Sequence, residues 1–217
     1  AAVIFDPLQT LLLMPALIFI TKYFYEERLD RKHLTWIILS VFAGTVIKGL
    51  NGIIIPAFAF ALHGIFSKNR FQHFKMALWI FAPATLLIAA FFLFLDQKMG
   101  RPFTYEFFMI HHFGRSQEAM ETHGGSLFYH PVVLWLGAGF FGIPFWNLIL
   151  DRKFNWMEIG FPLTYTVAFT LFFTYSATKL PHYTWPVWVA LALQAGLLSQ
   201  LPEESLRTRK VIKNILS

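Results

Sequence analysis

The chain has 217 residues, of which 56% are hydrophobic and 14% charged, with a formal net charge of +6 and no cysteine. A soluble domain carries about 25% charged residues. The apolar residues here fall in nearly uncharged blocks of about 14–20, which excludes an ordinary soluble globule, a disordered chain and a disulfide-stapled module.

Only helices and closed barrels satisfy their own backbones in lipid. The apolar runs are too long and too continuous for the alternating strands, each of about ten residues, that build a barrel. The expected fold is all-α: a polytopic transmembrane bundle of about seven spans with a long extracytoplasmic loop.

In chain order the spans are 8–24, 34–47, 50–66, 76–95, 131–150, 161–178 and 184–201. About 20 helical residues cross a hydrocarbon core of about 30 Å, so 34–66 is too long for one crossing. Lys48-Gly49-Leu50-Asn51-Gly52 in its middle reads as a turn, because two glycines and an asparagine supply unusual dihedrals. Lysine and arginine gather on the cytoplasmic side of membrane proteins. With the turn in place they divide 13 against 5; with one long span they divide 8 against 9 and Lys48 is left inside the membrane. The seven-span reading places 25–33, 67–75, 151–160 and the tail in the cytoplasm, with the N-terminus, 48–51, 96–130 and 179–183 outside. Residues 1–201 form one membrane core, and 202–217 a charged cytoplasmic connector.

The outer face holds the candidate chemistry. Asp6-Pro7 precedes the first span: proline and aspartate suit a helix start, or the carboxylate faces an interfacial active site. Lys48 and Lys179 lie at span ends against the topological bias. They are either snorkelling anchors or cations with a function. The prolines of Lys179-Leu180-Pro181-His182-Tyr183 and Pro186 break the entry to the last span.

The loop 96–130 has 35 residues, a length that tends to be functional. Phe103, Tyr105, Phe107, Phe108, Met109, Ile110 and Phe113 suit an interfacial helix, on which His112 and Arg115 are three apart and share a face with Phe108. It is either a lipid-phosphate platform or a solvated amphipathic loop. His111, His112 and His123, with Glu118 or Glu121, leave a divalent metal open, although adjacent histidines on a helix diverge by about 100° and no HExxH spacing is present. His63, inside the third span, reads as a hydrogen-bonded packing residue.

These outer motifs, in this order, resemble the GT-C class of polyprenyl-phosphate-sugar-dependent membrane glycosyltransferases, in particular the aminoarabinose-lipid A transferase and protein O-mannosyltransferase-like enzymes. The matching pieces are Asp6-Pro7, Ala43-Gly44-Thr45-Val46-Ile47-Lys48-Gly49 with Pro56, and Phe107-Phe108-Met109-Ile110-His111-His112-Phe113-Gly114-Arg115. They continue with His123-Gly124-Gly125-Ser126-Leu127-Phe128-Tyr129, Gly142-Ile143-Pro144-Phe145-Trp146 and Lys179-Leu180-Pro181-His182-Tyr183.

The resemblance implies inverting sugar transfer from a polyprenyl phosphate to a lipid A, protein or glycan acceptor, at the periplasmic face of a bacterial inner membrane. Within it, Asp6 is the candidate catalytic carboxylate. Lys48, His112, Arg115, Lys179 and Tyr183 are candidate ligands of the donor phosphate, and His111, His123 and Tyr129 support the acceptor or the loop. The family carries an acidic residue or pair in a first outer loop that is not in this sequence, so the chain resembles an internal stretch expected to be inactive alone. His111 stands where the family often has an acidic residue. No P-loop or dinucleotide fingerprint is present, and no nucleic-acid partner is expected. A transporter or flippase of a lipid-linked anion is the alternative, but transporters hold their ionisable residues near the midplane whereas these lie at the outer boundary.

Overall fold

The computed structural model describes residues 6–99, 102–109, 125–138, 160–176, 179 and 181–199. Among them every regular element is helical. The helices are α1 (Asp6–Glu26), α2 (Arg31–Lys48), α3 (Asn51–Ile65), α4 (Arg70–Met99), α5 (Tyr129–Ala138), α6 (Phe161–Tyr175) and α7 (Trp185–Ser199). A helical turn at Phe103–Tyr105 and a 3-10 turn at Pro181–Thr184 complete the set.

The helices start and stop where the local chemistry dictates. Asp30 caps α2 by accepting a hydrogen bond from the His33 backbone N–H at 2.7 Å, so the helix begins three residues before the apolar run. It ends at Gly49, whose φ of 114° and ψ of −166° lie where a side chain is strained. The Gly49 N–H bonds back to the Thr45 carbonyl at 2.7 Å, and α3 resumes at Asn51. The expected break in 34–66 is therefore a two-residue corner.

A Cβ on Gly52 would stand 2.6 Å from the carbonyl carbon of Gly44 and 2.6 Å from the Thr45 nitrogen. The start of α3 thus lies backbone-to-backbone against the last turns of α2. A Cβ on Gly44 would strike Leu13 at 2.7 Å, so the same glycine lets α1 approach from its other side.

The core comprises Leu17, Ile20, Tyr23 and Phe24 of α1, Ile37 and Val41 of α2, and Ile55 and Phe60 of α3. It is completed by Ile80 and Ala84 of α4, Phe161, Tyr165 and Phe169 of α6, and Val187 and Ala190 of α7. α1 packs on α2, α6 and α7, while α4 packs on α2 and α3 at the periphery. The buried positions of α4 include Ile80, Ala84, Ile88 and Phe92, one narrow stripe at helical spacing. Leu78, Trp79, Leu86, Leu93 and Phe94 of the same helix are exposed. With 30 residues it is about 45 Å long. Asp6–Glu26 and Arg70–Met99 are long and apolar enough to cross a membrane, and Asn51–Ile65 and Trp185–Leu197 are shorter apolar helices.

The loop after α4 begins later than expected, because α4 continues to Met99. Residues 102–109 then fold back on it. The Thr104 N–H donates to Asp96 at 2.8 Å, and Phe107 and Phe108 set their rings 4.9 and 4.8 Å from that of Phe92. The apolar side expected of an interfacial helix thus rests, in 102–109, on α4. The expectations for 110–124, 139–159 and the connector 202–217 lie outside the described residues.

Candidate active site

The N-terminus of α1, the α2–α3 corner, the C-terminus of α6, the 3-10 turn and the start of α5 meet at one end of the bundle. Asp6 is the first residue of α1 and Lys48 the last of α2, and they form an ion pair. The Asp6 side chain is 6% exposed and that of Lys48 18%. The Lys48 ammonium also stands 4.5 Å from the centroid of the Tyr183 ring, a cation–π contact on the 3-10 turn. Tyr183 in turn packs its ring 4.7 Å from Phe173 and 6.3 Å from His130 in a stacked arrangement. His130 is buried beside Tyr129 at the start of α5.

The structure therefore puts Lys48 in contact with both Asp6 and Tyr183, with Tyr129 reached through His130. These residues come from four separate stretches of sequence, all expected on the outer face. The other predicted site residues, His111, His112, Arg115 and His123, lie outside the described residues.

Lys179 takes a different place from the one its sequence context suggests. Its ammonium donates to the carbonyls of Phe173 at 3.2 Å, Thr174 at 2.5 Å and Ser176 at 2.6 Å. An ammonium has three donors, and all three are used on the end of α6. There the unpaired carbonyls carry the negative end of the helix dipole. The side chain is buried. That burial pulls the ammonium below the usual lysine range, while the three carbonyls favour its charged form. Gly125 leaves room for its stem, since a Cβ there would sit 3.0 Å from Lys179 Cγ. In this arrangement Lys179 clamps the turn that carries Tyr183, and a phosphate would reach it only by replacing a carbonyl.

Two residues of the site were not singled out from the sequence for any chemistry. Gln9, one turn into α1, donates to the Gly44 carbonyl at 3.0 Å and to Asn51 Oδ1 at 3.1 Å. Asn51 Nδ2 returns a bond to Gln9 Oε1 at 3.3 Å. The signal available was spacing: Gln9 is a lone amide three residues after Asp6 and so shares its helix face.

At the opposite end lies a second polar cluster. The Tyr23 hydroxyl and His73 Nδ1 share a hydrogen bond at 2.8 Å, and His73 Nε2 and the Ser67 hydroxyl share another at 2.8 Å. Asn69 donates to the Glu27 carboxylate at 3.1 Å. His63 bonds Thr164 at 2.9 Å and packs on Phe24, the packing role expected of it. Among the described residues no group of three or more His, Cys, Asp and Glu is arranged to hold a metal ion.

No protein-family profile matches the chain, and no curated protein matches it. Two crystal structures of ArnT from Cupriavidus metallidurans are similar to it. The one bound to undecaprenyl phosphate has 22% sequence identity and a TM-score of 0.62, and the one in the apo state 19% and 0.67. Each match covers 92% of this chain and 37% of the ArnT chain. The resemblance read from the outer-face motifs is thus matched in three dimensions, and the helical fold of this chain is that of the corresponding part of ArnT.

Proposed function

We propose that this chain is part of the membrane-embedded core of a glycosyltransferase that moves a sugar from a polyprenyl phosphate to an acceptor at the extracytoplasmic face. The observation that carries this reading is the placement of Lys48. It is a cation of the expected outer face, fixed by Asp6 and the Tyr183 ring, in a fold shared with a protein crystallised with undecaprenyl phosphate. The seven-span topology follows the charge count. It puts the Asp6–Lys48 end outside and the Tyr23–His73 end in the cytoplasm, in an inner membrane.

In the reaction an acceptor hydroxyl oxygen bonds to the anomeric carbon as the bond from that carbon to the phosphate oxygen breaks. The hydroxyl proton passes to a carboxylate, and the lipid phosphate leaves with its negative charge. Donors aimed at developing charge are usually the largest single contribution to such catalysis. Lys48, with Arg115 and His112 of the loop and the Tyr183 turn, is assigned to the phosphate, and Lys179 joins them if it leaves its carbonyls. Asp6 is close enough to Lys48 to serve as its orienting carboxylate as well as a candidate base. His111, His123 and Tyr129 are assigned to acceptor and loop support. A divalent metal, if used, falls to the loop histidines. The acceptor classes are lipid A, protein or glycan.

The test is transfer of a labelled sugar from a synthetic polyprenyl-phosphate donor by the purified protein that carries this chain. Product on the acceptor together with free polyprenyl phosphate supports the reading. Movement of the lipid-linked donor across the bilayer without product supports the transporter alternative.

A further inference from the structure

We infer that Gln9 and Asn51 form a positioning pair that holds Lys48 in place for an anionic lipid headgroup; the ligand, though not the geometry, rests on the function proposed above.

Two rungs join α1 to the α2–α3 corner. Asp6 and Gln9 lie three apart on one face of α1. Lys48 and Asn51 lie three apart across the corner between α2 and α3. The outer rung is the Asp6–Lys48 ion pair. The inner rung is the amide pair, bonded in both directions at 3.1 and 3.3 Å. Gln9 is 2% exposed, and its amide makes three hydrogen bonds. Both N–H groups are used, on Gly44 and Asn51, and the oxygen accepts from Asn51.

A corner of two residues has little intrinsic stiffness, and Gly49 within it has the greatest backbone freedom of any residue type. Without the inner rung, the angle between α2 and α3 would be fixed mainly by the close approach of Gly52 to Gly44. The amide pair adds a directional tie from α1 to both sides of the corner, to the Gly44 carbonyl on α2 and to the Asn51 side chain on α3. The amides are burdened with desolvation, and what they add is a fixed register between Asp6 and Lys48. That register sets where the Lys48 ammonium stands over the Tyr183 ring.

The experiment compares undecaprenyl-phosphate binding in detergent micelles by the protein carrying this chain with four variants: Gln9→Leu, Asn51→Leu, the swap Gln9→Asn with Asn51→Gln, and Lys48→Met as the reference. Thermal melting is recorded for each. Hydrogen bonds inside membranes are worth about 0.6 kcal/mol on average and up to about 1.7, which is about three- to twentyfold each. The dissociation constant should rise about three- to twentyfold in Gln9→Leu and Asn51→Leu. The rise should shrink when the salt concentration is raised, as the Lys48–phosphate attraction is screened. The swapped pair should recover most of the affinity.

A second readout needs no lipid. Acylation of Lys48 by an amine reagent, followed by mass spectrometry, should be faster in the leucine variants and near wild type in the swap. If Lys48→Met weakens binding but the leucine variants bind and acylate like wild type, the positioning role is wrong and the phosphate site stands. If Lys48→Met binds like wild type, the phosphate site is wrong, and the acylation rates alone decide whether the amides hold Lys48. A leucine variant that melts much lower is judged by the swap: failure of the swap to recover either acylation or affinity overturns the inference.

Discussion

Replacing Lys48 by methionine separates two roles that one residue carries. In the folded chain its ammonium neutralises Asp6, whose side chain is 6% exposed, while its own side chain is 18% exposed. Removing one partner of a buried pair costs about 3–5 kcal/mol, because the other charge is left without compensation. Because the Lys48 side chain is partly exposed, solvent screens the pair and about 2–4 kcal/mol is the expected cost here. At about 2–4 °C per kcal/mol for a domain of this size, the melting temperature should fall by about 5–15 °C. Adding Asp6→Asn removes the stranded carboxylate and should restore stability to within about 1 kcal/mol of wild type, since replacing both members of a pair is often neutral. Lipid-phosphate binding should not return with it. Asp6→Asn alone keeps the cation and should still bind undecaprenyl phosphate. Melting curves and binding isotherms for the three variants give the answer. If the double variant regains binding along with stability, Lys48 is a structural ion-pair partner and the phosphate assignment fails.

Other consequences are independent of that experiment. Gly52→Ala drives a methyl group into the Gly44–Thr45 backbone. It should destabilise by about 1–3 kcal/mol, as overpacking does, and an unchanged melting temperature would refute the close crossing. Tyr183→Leu removes the ring face beneath Lys48 and should weaken binding of the lipid phosphate by the worth of a partly desolvated cation–π contact, about 0.5–2 kcal/mol; tighter binding would show that the ring competes with the ligand. Lys179→Met removes three bonds to the end of α6 and should raise backbone amide exchange at 173–176, where protection as in wild type would contradict the clamp. For topology, a cysteine at Gln117 should react with a membrane-impermeant thiol reagent added outside and one at exposed Lys68 should not; the reverse would overturn the assignment of faces.

What the sequence made legible is what depends on local chemistry. The corner at Gly49-Leu50 was readable because the glycines and the charge balance both pointed to it, although only Gly49 takes the unusual dihedrals and Asn51 and Gly52 already belong to α3. His63 was readable as a packing residue because a lone histidine in an apolar run needs a hydrogen-bond partner, which Thr164 supplies. The shared end of Asp6, Lys48 and Tyr183 was readable from topology. Helix ends were less so: Asp30 and the polar residues Asp96, Gln97 and Lys98 extend α2 and α4 beyond their apolar runs.

The Gln9–Asn51 pair was not legible, since the two residues are 42 apart in sequence and only tertiary packing makes them neighbours. Lys179 was legible as an unusual cation but not as a clamp. A lysine following a helix end faces either water or the carbonyls behind it, and the choice depends on burial by Gly125 and the 3-10 turn, which no local pattern encodes.

Handling of a polyprenyl-phosphate sugar is proposed for the Asp6–Lys48 end of the bundle. The most direct measurement is single-turnover transfer in proteoliposomes by the protein carrying this chain, with a labelled polyprenyl-phosphate sugar supplied and the acceptor outside. Labelled acceptor and free polyprenyl phosphate should appear in equal amounts, and Lys48→Met should lower the rate per folded molecule about 30- to 1000-fold, corresponding to about 2–4 kcal/mol in the transition state. Transfer at an unchanged rate in that variant, or redistribution of the donor between leaflets with no labelled acceptor, would contradict it.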